Sequence, residues 1–367
     1  MSIALFLGAG ASVPFLKPTT GEFKQRFASS NYGPSNSALK NAILNHHEYP
    51  DIEYVLQALR EIREFRNSQG GKFITWFEKG LTFQYANSQT IQFDKLIEKE
   101  IIPLEQEIRK AVFEYYRWDS SVNTTLRKIY DSIFNMIIRY QKDIHVFTTN
   151  YDIAIEEYCG ITDEHKCIDG FVYSNRKRRH IWADGVMSPP DHDRGRDVYL
   201  YKLHGSLNWK YHSNHGLERT SEESQINDPS YTDNLLVYPT MSPKDGHEKD
   251  PYKTIRQHFV KQMKTSDVCI VIGFSFRDKH VNEVMMDFIK NKKPIVVISP
   301  YATKEVCGNL LGIDIPKTPV DRLEDQIPGF PNIWCINQKI DVNTIEHIID
   351  KTESMFLAVQ RENKTQK

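Results

Sequence analysis

The feature that most constrains this chain is a set of short apolar runs bounded by Gly, Pro, Asn or Asp: Ile3–Leu7, Ile144–Thr148, Leu235–Tyr238, Val268–Ile272, Ile295–Ser299 and Ile333–Ile336. They are rich in β-branched and aromatic residues and do not alternate with polar ones, which is the pattern of strands covered on both faces. Such strands predict an α/β fold with a Rossmann-like, mostly parallel sheet and helices on either side. About 135 residues separate the first two runs, far more than one crossover needs. Within them Val55, Leu56, Leu59, Ile62 and Phe65 fall at helical spacing, and Phe93–Val112 and Leu126–Tyr140 carry similar stripes, so an inserted helical subdomain is expected.

The domain reading that follows is a core from residues 1–22 and 141–345, a helical insertion at 23–140, and a C-terminal helix and tail at 346–367. Ile345, Ile348, Ile349 and Met355 give that last helix its stripe. The segment from Asp184 to Asp233, rich in Ser, Asn, Asp, His and Pro, reads as irregular loops interrupted by one apolar, Trp-containing segment around Tyr199–Trp209.

Lys and Arg number 47 against 48 Asp and Glu, so no global charge excess points to nucleic acid or a membrane surface. The local basic cluster is Arg176-Lys177-Arg178-Arg179-His180, which suits a solvated loop or a nucleic-acid contact. The cysteines, Cys159, Cys167, Cys269, Cys307 and Cys335, are odd in number, widely spaced and without a CxxC pair; reduced thiols and no zinc cage are expected. No basic leader and no apolar run near the length of a membrane span is present, so a cytoplasmic protein is expected.

The residues that carry chemistry cluster at the ends of the predicted strands. Gly8-Ala9-Gly10-Ala11-Ser12 follows the first run, where an open α/β sheet binds dinucleotide phosphates. The third glycine of the usual fingerprint would fall at Val13, and a tight structural turn uses the same residues. Thr148-Thr149-Asn150-Tyr151-Asp152 follows the second run; in extended backbone Asn150 and Asp152 point to one side and offer an amide and a carboxylate to water or ribose hydroxyls. A helix N-cap ahead of Ile153 is the alternative use. Lys202-Leu203-His204-Gly205 gives an imidazole an uncrowded approach beside glycine, and histidine is the usual proton carrier near neutral pH. Gly273-Phe274-Ser275-Phe276-Arg277-Asp278 and Ser299-Pro300 close two further runs, as binding segments or as turns and caps.

In type and order these segments resemble the Sir2-like, sirtuin-related family. Gly8-Ala9-Gly10-Ala11-Ser12 is similar to its phosphate loop, Thr149-Asn150-Tyr151-Asp152 to its T-Q-N-x-D, His204-Gly205 to its HG, and Gly273-Phe274-Ser275 to its GTS. The resemblance covers about half of the chain, its sheet-forming parts. It implies NAD as the bound molecule, Asn150 and His204 as catalytic residues, Asp152 as a ribose-side partner, and Gly8, Ala9, Gly10, Ala11, Ser12, Thr149, Gly273, Ser275 and Ser299 among the contacts. Protein-deacylating members carry four zinc cysteines between HG and GTS, whereas that span here holds Cys269 alone, at its end. The Phe-Thr-Thr-Asn-Tyr-Asp ending, Pro18-Thr19-Thr20 and the helical insertion look instead like the bacterial antiphage members that hydrolyse NAD.

The expectation is therefore an NAD hydrolase that releases nicotinamide and ADP-ribose or a cyclised product, with Asn150 as an exposed strand-end amide whose loss would spare folding. The resemblance also implies control by assembly, as a homo-oligomer or with a partner such as a HerA-like ATPase or a short Argonaute. The chain after Ser299 is too short for an added sensor domain, which agrees with control from outside. A non-catalytic NAD or ADP-ribose sensor, a subunit of a nuclease complex and a protein deacylase are the alternatives.

Overall fold

A computed structural model describes residues 1–29, 52–68, 82–84, 90–162, 164–176, 178–187, 196–212, 216–220, 231–236, 250–314 and 324–365. They fall into two compact units, Met1–Lys17 with Trp118–Lys367, and Pro18–Arg117.

The second unit is mainly helical. Helix α1 (Thr20–Ser29) opens with a reciprocal cap: the Thr19 amide donates to Glu22 Oε2 at 2.8 Å and the Glu22 amide to Thr19 Oγ1 at 3.3 Å. Helix α2 (Ile52–Asn67) buries Val55, Leu56 and Leu59 and leaves Phe65 exposed. A short hairpin, β2 (Thr82–Gln84) with β3 (Thr90–Gln92), precedes α3 (Phe93–Leu96), a π-helical stretch Ile97–Ile101, and α4 (Ile102–Tyr116).

The first unit is built on β1 (Ile3–Leu7), α5 (Asn123–Ile138), β4 (Ile144–Thr148), α6 (Ala154–Ile161), β5 (Cys167–Ile168), β6 (Phe171–Ser174), β7 (Arg179–Trp182), β8 (Val198–Lys202), β9 (Gly205–His212), β10 (Gly216–Arg219), β11 (Tyr231–Leu236), α7 (Tyr252–Thr265), β12 (Val268–Ile272), α8 (Lys279–Lys290), β13 (Ile295–Ile298), α9 (Ala302–Glu305), β14 (Glu324–Ile327), β15 (Phe330–Ile336) and α10 (Ile345–Thr365). The main sheet has the order β14-β15-β13-β12-β1-β4-β8-β5, parallel throughout except that β14 runs antiparallel at one edge. Every residue of β1, β8, β12 and β13 is buried, because helices cover both faces. On one face Leu126, Ile129, Tyr130, Ile133 and Phe134 of α5, Tyr158 of α6 and Ile345, Ile348 and Phe356 of α10 pack with Leu5, Val146, Leu200 and Ile270. On the other, Phe259 of α7 packs against Phe6 and Phe147, with ring centroids 5.7 and 5.0 Å apart.

Three differences from the sequence reading stand out. Helix α5, expected with the insertion, lies in the core of the first unit, where its apolar face covers the sheet. The run at Leu235 does not join the parallel sheet: β11 pairs antiparallel with β9 in a second sheet of order β11-β9-β10-β7-β6, and Val237 and Tyr238 lie outside the described residues. The stretch read as loops from Asp184 to Asp233 supplies much of that sheet. Of the basic cluster, Arg176 and Arg178 lie between β6 and β7, Arg179 and His180 lie in β7 with Arg179 Nη1 on Glu218 Oε2 at 2.9 Å, and Lys177 is outside the described residues. No helix among the described residues is long and apolar enough to cross a membrane.

Candidate active site

The strand order places the site. From β1 the chain next adds β4 and β8 on one side, then returns to add β12 and β13 on the other. Connections leaving in opposite directions open a crevice at the carboxyl ends of β1 and its neighbours, where open α/β sheets bind ligands. Gly8, Asn150, His204 and Gly273 all stand at that edge, directly after β1, β4, β8 and β12.

Two glycine loops interlock there. The Gly8 amide donates to Ile272 O and the Gly10 amide to Gly273 O, both at 2.9 Å. Gly273 has φ +63°, and a Cβ on it would lie 2.3 Å from the Ala11 nitrogen. A side chain at Gly8 would lie 2.5 Å from Gly273 O. These glycines thus let two backbones touch, with the amides of Gly8, Gly10 and Ala11 already engaged inside the protein.

Asn150 is half-buried rather than an exposed strand-end amide. Its Nδ2 donates to Gly8 O and to Ser12 Oγ, each at 2.9 Å, and its backbone amide donates to Thr148 Oγ1 at 3.0 Å. Both amide donors are spent, which leaves Oδ1 as the acceptor the side chain can offer a ligand or water. Thr148 itself, Oγ1 to Leu7 O at 3.0 Å, ties this turn to β1, whereas Thr149 reaches Leu7 O through its backbone at 3.3 Å. Asp152 Oδ1 accepts from the Ala154 amide at 3.1 Å, but the N-cap of α6 is Ile153 and no side chain caps it, and the buried Asp152 Oδ2 has no hydrogen-bond partner. Leu7, Ser12, Tyr130, Thr148, Asn150 and Asp152 line a cavity of about 10 Å³, the size of one water. Lys202, 1% exposed, closes it with its Nζ on the Asp152 carbonyl and 3.0 Å from Glu156 Oε1. Burial pushes the Glu156 carboxyl up, and the Lys202 ammonium opposes the rise.

His204 sits in the two-residue turn between β8 and β9. Gly205, at φ +86°, lets the chain leave one sheet for the other immediately after the imidazole. The Leu203 amide donates to Thr148 O at 2.8 Å and the Leu207 amide to Tyr151 O at 3.0 Å, so the Asn150 and His204 turns run side by side. The imidazole is 2% exposed and lines a separate cavity of about 20 Å³ with Leu203, Tyr252, Arg256, Phe259, Asp278 and His280. Its Nε2 donates to Asp278 Oδ2 at 2.7 Å, and its Nδ1 is buried without a partner. Burial would raise the Asp278 carboxyl, yet His204 and the amides of Val281 and His280 together hold it below the usual value.

The other candidates are placed differently. Ser12 joins the cluster through Asn150, whereas Ser275 offers its carbonyl to Asn309 Nδ2 at 2.7 Å. Ser299 donates to Glu305 Oε2 at 2.7 Å and accepts from the Tyr301 amide, so its hydroxyl is committed to the start of α9. Sequence reasoning gave no role to Thr148, Lys202, Glu156 or Asp278; the first, second and fourth lay inside quoted motifs, but their partners are distant in sequence. The cysteines are free thiols, and among the described residues no group of three or more His, Cys, Asp and Glu is arranged to hold a metal ion.

Several solved structures resemble the whole chain at low identity. A Sir2 with a p53 peptide and NAD+ is 12% identical, over 96% of this chain and 93% of that one, with a TM-score of 0.41. A Sir2 homologue mutant in complex with ADP ribose gives 12%, 96%, 92% and 0.42, and a Sir2 bound to an acetylated peptide gives 12%, 96%, 93% and 0.41. No curated protein matches the chain. Residues 144–309, less than half of the chain, match the family model described as SIR2-like domain, and Asn150, His204 and Gly273 lie within the matched residues.

Proposed function

We propose that this chain hydrolyses NAD+ at the bond between nicotinamide and ribose. The observation that carries the reading is the pair of unpartnered buried acceptors, Asp152 Oδ2 and His204 Nδ1, on adjoining strand ends at the switch point of the sheet. A fold does not leave such groups dry without cost, and both suit a ligand or water that donates hydrogen bonds. In the proposed pose NAD+ lies across the carboxyl edge, its pyrophosphate at Gly8–Ser12 and its nicotinamide ribose toward Asn150, Asp152 and His204.

Asn150 Oδ1 and Asp152 fit a water and the ribose hydroxyls, and the cavity they line has the volume of one water. Hydrolysis then proceeds through an oxocarbenium-like ribose. The glycosidic C–N bond breaks, nicotinamide leaves with the bonding pair, and the water oxygen bonds to C1′. The proton that water gives up passes to His204 through a ribose hydroxyl, because the imidazole lines a neighbouring cavity rather than the water's own. The products are nicotinamide, ADP-ribose and a proton. The reading places the chain as an effector that depletes NAD+, in bacterial antiphage defence, with activity set by assembly or a partner such as a HerA-like ATPase or a short Argonaute.

The test is nicotinamide release by the purified protein, alone and with its genomic neighbours, beside Asn150→Ala. The expected result is turnover by wild type and at least about a hundredfold less by the variant. NAD+ binding without turnover under every condition would favour a sensor and refute the hydrolase; equal rates would remove Asn150 from the site.

A further inference from the structure

His204 and Asp278 belong to elements 74 residues apart, yet their side chains meet at 2.7 Å inside the protein. Both are nearly fully buried, at 2% and 4% exposure. The carboxylate is fixed at both oxygens: Oδ1 accepts from the His280 and Val281 amides at 2.8 and 3.2 Å and so caps α8, while Oδ2 faces the imidazole. An acceptor held this firmly permits one orientation of the ring and one neutral tautomer, with the proton on Nε2 and the lone pair on Nδ1. A purely structural histidine would engage both nitrogens, but here Nδ1 is buried and unpartnered.

We propose that Asp278 is a positioning residue of the reaction, fixing His204 as the Nε2–H tautomer so that Nδ1 is the proton acceptor. The proposal rests on the hydrolase reading for its catalytic consequence and on geometry alone for the tautomer. Asp278 never meets substrate; it keeps the base unprotonated at the working atom and stabilises the imidazolium once the proton has arrived. The helix N-terminus behind it supports the ionised carboxylate. Other groups that face the pair are Tyr252 and Arg256 from α7, His280 from α8, and Tyr151, whose ring centroid lies 6.4 Å from that of His204. Arg256 lies 3.8 Å from Glu283, so its charge is partly answered.

Asp278→Asn separates this role from capping. The amide keeps an oxygen for the two α8 amides but presents Nδ2 to His204, which reverses the hydrogen bond and moves the imidazole proton to Nδ1. Asp278→Ser caps the helix and leaves His204 without its partner, which guards against a folding artefact of the first variant. In full-length protein labelled with ¹⁵N-histidine, with His204 assigned by the signal lost in His204→Gln, wild type should show the Nε2–H tautomer and Asp278→Asn should not. A wild-type Nδ1–H tautomer, or no change in the variant, overturns the proposal. In turnover, both variants should lose about a hundredfold or more in kcat with KM and melting temperature near wild type. The acidic limb of the pH profile should move with Asp278→Asn, and His204→Ala/Asp278→Asn should be no slower than His204→Ala. Since Arg256, His280, Tyr252 and Tyr151 are unchanged, a moving limb belongs to His204. A wild-type rate and limb in Asp278→Asn overturns the catalytic consequence, whereas the expected tautomer in a chain that never turns over NAD+ refutes the hydrolase reading and leaves the pair standing.

Discussion

Gly273→Ala tests whether the interlock of the two strand-end loops is what builds the crevice. Gly273 has φ +63°, and the added methyl would sit 2.3 Å from the Ala11 nitrogen and 2.4 Å from the Gly10 carbonyl carbon. These are backbone atoms, so no rotamer change relieves the overlap, and the loops must part by about 1 Å to reach ordinary contact. Left-handed backbone costs alanine ~1 kcal/mol, overpacking adds about 1–3, and losing the bond from the Gly10 amide to Gly273 O adds ~1. The sum, about 3–5 kcal/mol, corresponds to a fall in melting temperature of roughly 10 °C in a unit of this size. Gly312 supplies the control: it has φ +65°, but a Cβ there meets nothing within 4 Å. Gly312→Ala therefore carries the conformational cost alone, a fall of about 2–4 °C. Thermal unfolding of the two variants, with NAD+ affinity by calorimetry, separates packing from backbone strain. If Gly273→Ala melts within about 2 °C of Gly312→Ala and binds NAD+ as wild type does, the close contact does not shape the site, and the reasoning fails.

Other outcomes follow from single features. Asn150→Ala should cost about 1–2 kcal/mol as well as activity, because Nδ2 makes two hydrogen bonds; a variant that melts like wild type would contradict that geometry. Elemental analysis of the purified protein should find no stoichiometric zinc, since the sequence offers no clustered thiols; one zinc per chain would refute this. His145, pushed down from 6.5 to about 4 by burial and by nearby His258, stays neutral in the folded chain while the unfolded chain takes up a proton. Stability should therefore be fully present above pH ~6.5 and fall as the pH drops toward 4, by up to about 3 kcal/mol relative to His145→Gln. Parallel acid titrations of the two proteins would contradict the assignment.

How much of this was legible in the sequence depends on what each residue faces. β1, β12 and β13 are apolar because both faces are covered, β4 and the Ile333–Ile336 end of β15 are mostly so, and all five were found by their apolar runs. β8 was not counted among the strands, because Tyr199, Tyr201 and Lys202 dilute its apolar character; the structure buries the lysine against Glu156. The antiparallel sheet was missed for a related reason. Its strands carry Arg179, Glu218 and Arg219, and the charge on the wholly buried Glu218 is answered across the sheet by Arg179, a pairing that no local pattern announces. Asp278 reads as a helix cap and is one; its second oxygen meets a histidine that only the tertiary fold brings near.

The same residues that make the site also set the alignment of the sheet. A strand apolar on both faces gains little from one register over another, because a shift by one residue still buries apolar side chains. In this sheet Leu7 stands opposite both Thr148 and Ile272, and Thr148 opposite Lys202. Polar groups at the strand ends hold that alignment: Thr148 Oγ1 on Leu7 O, Asn150 Nδ2 on Gly8 O, Lys202 Nζ on the Asp152 carbonyl, and the Gly10 amide on Gly273 O. A slip of one residue would break these bonds and bury their donors and acceptors unpaired, at about 1–3 kcal/mol for each group. The chemistry at the carboxyl edge thus specifies the pairing that brings Asn150 beside Gly8 and Ser12. Loss of turnover in a variant of this edge consequently identifies a catalytic group only when the variant's melting temperature is measured with it.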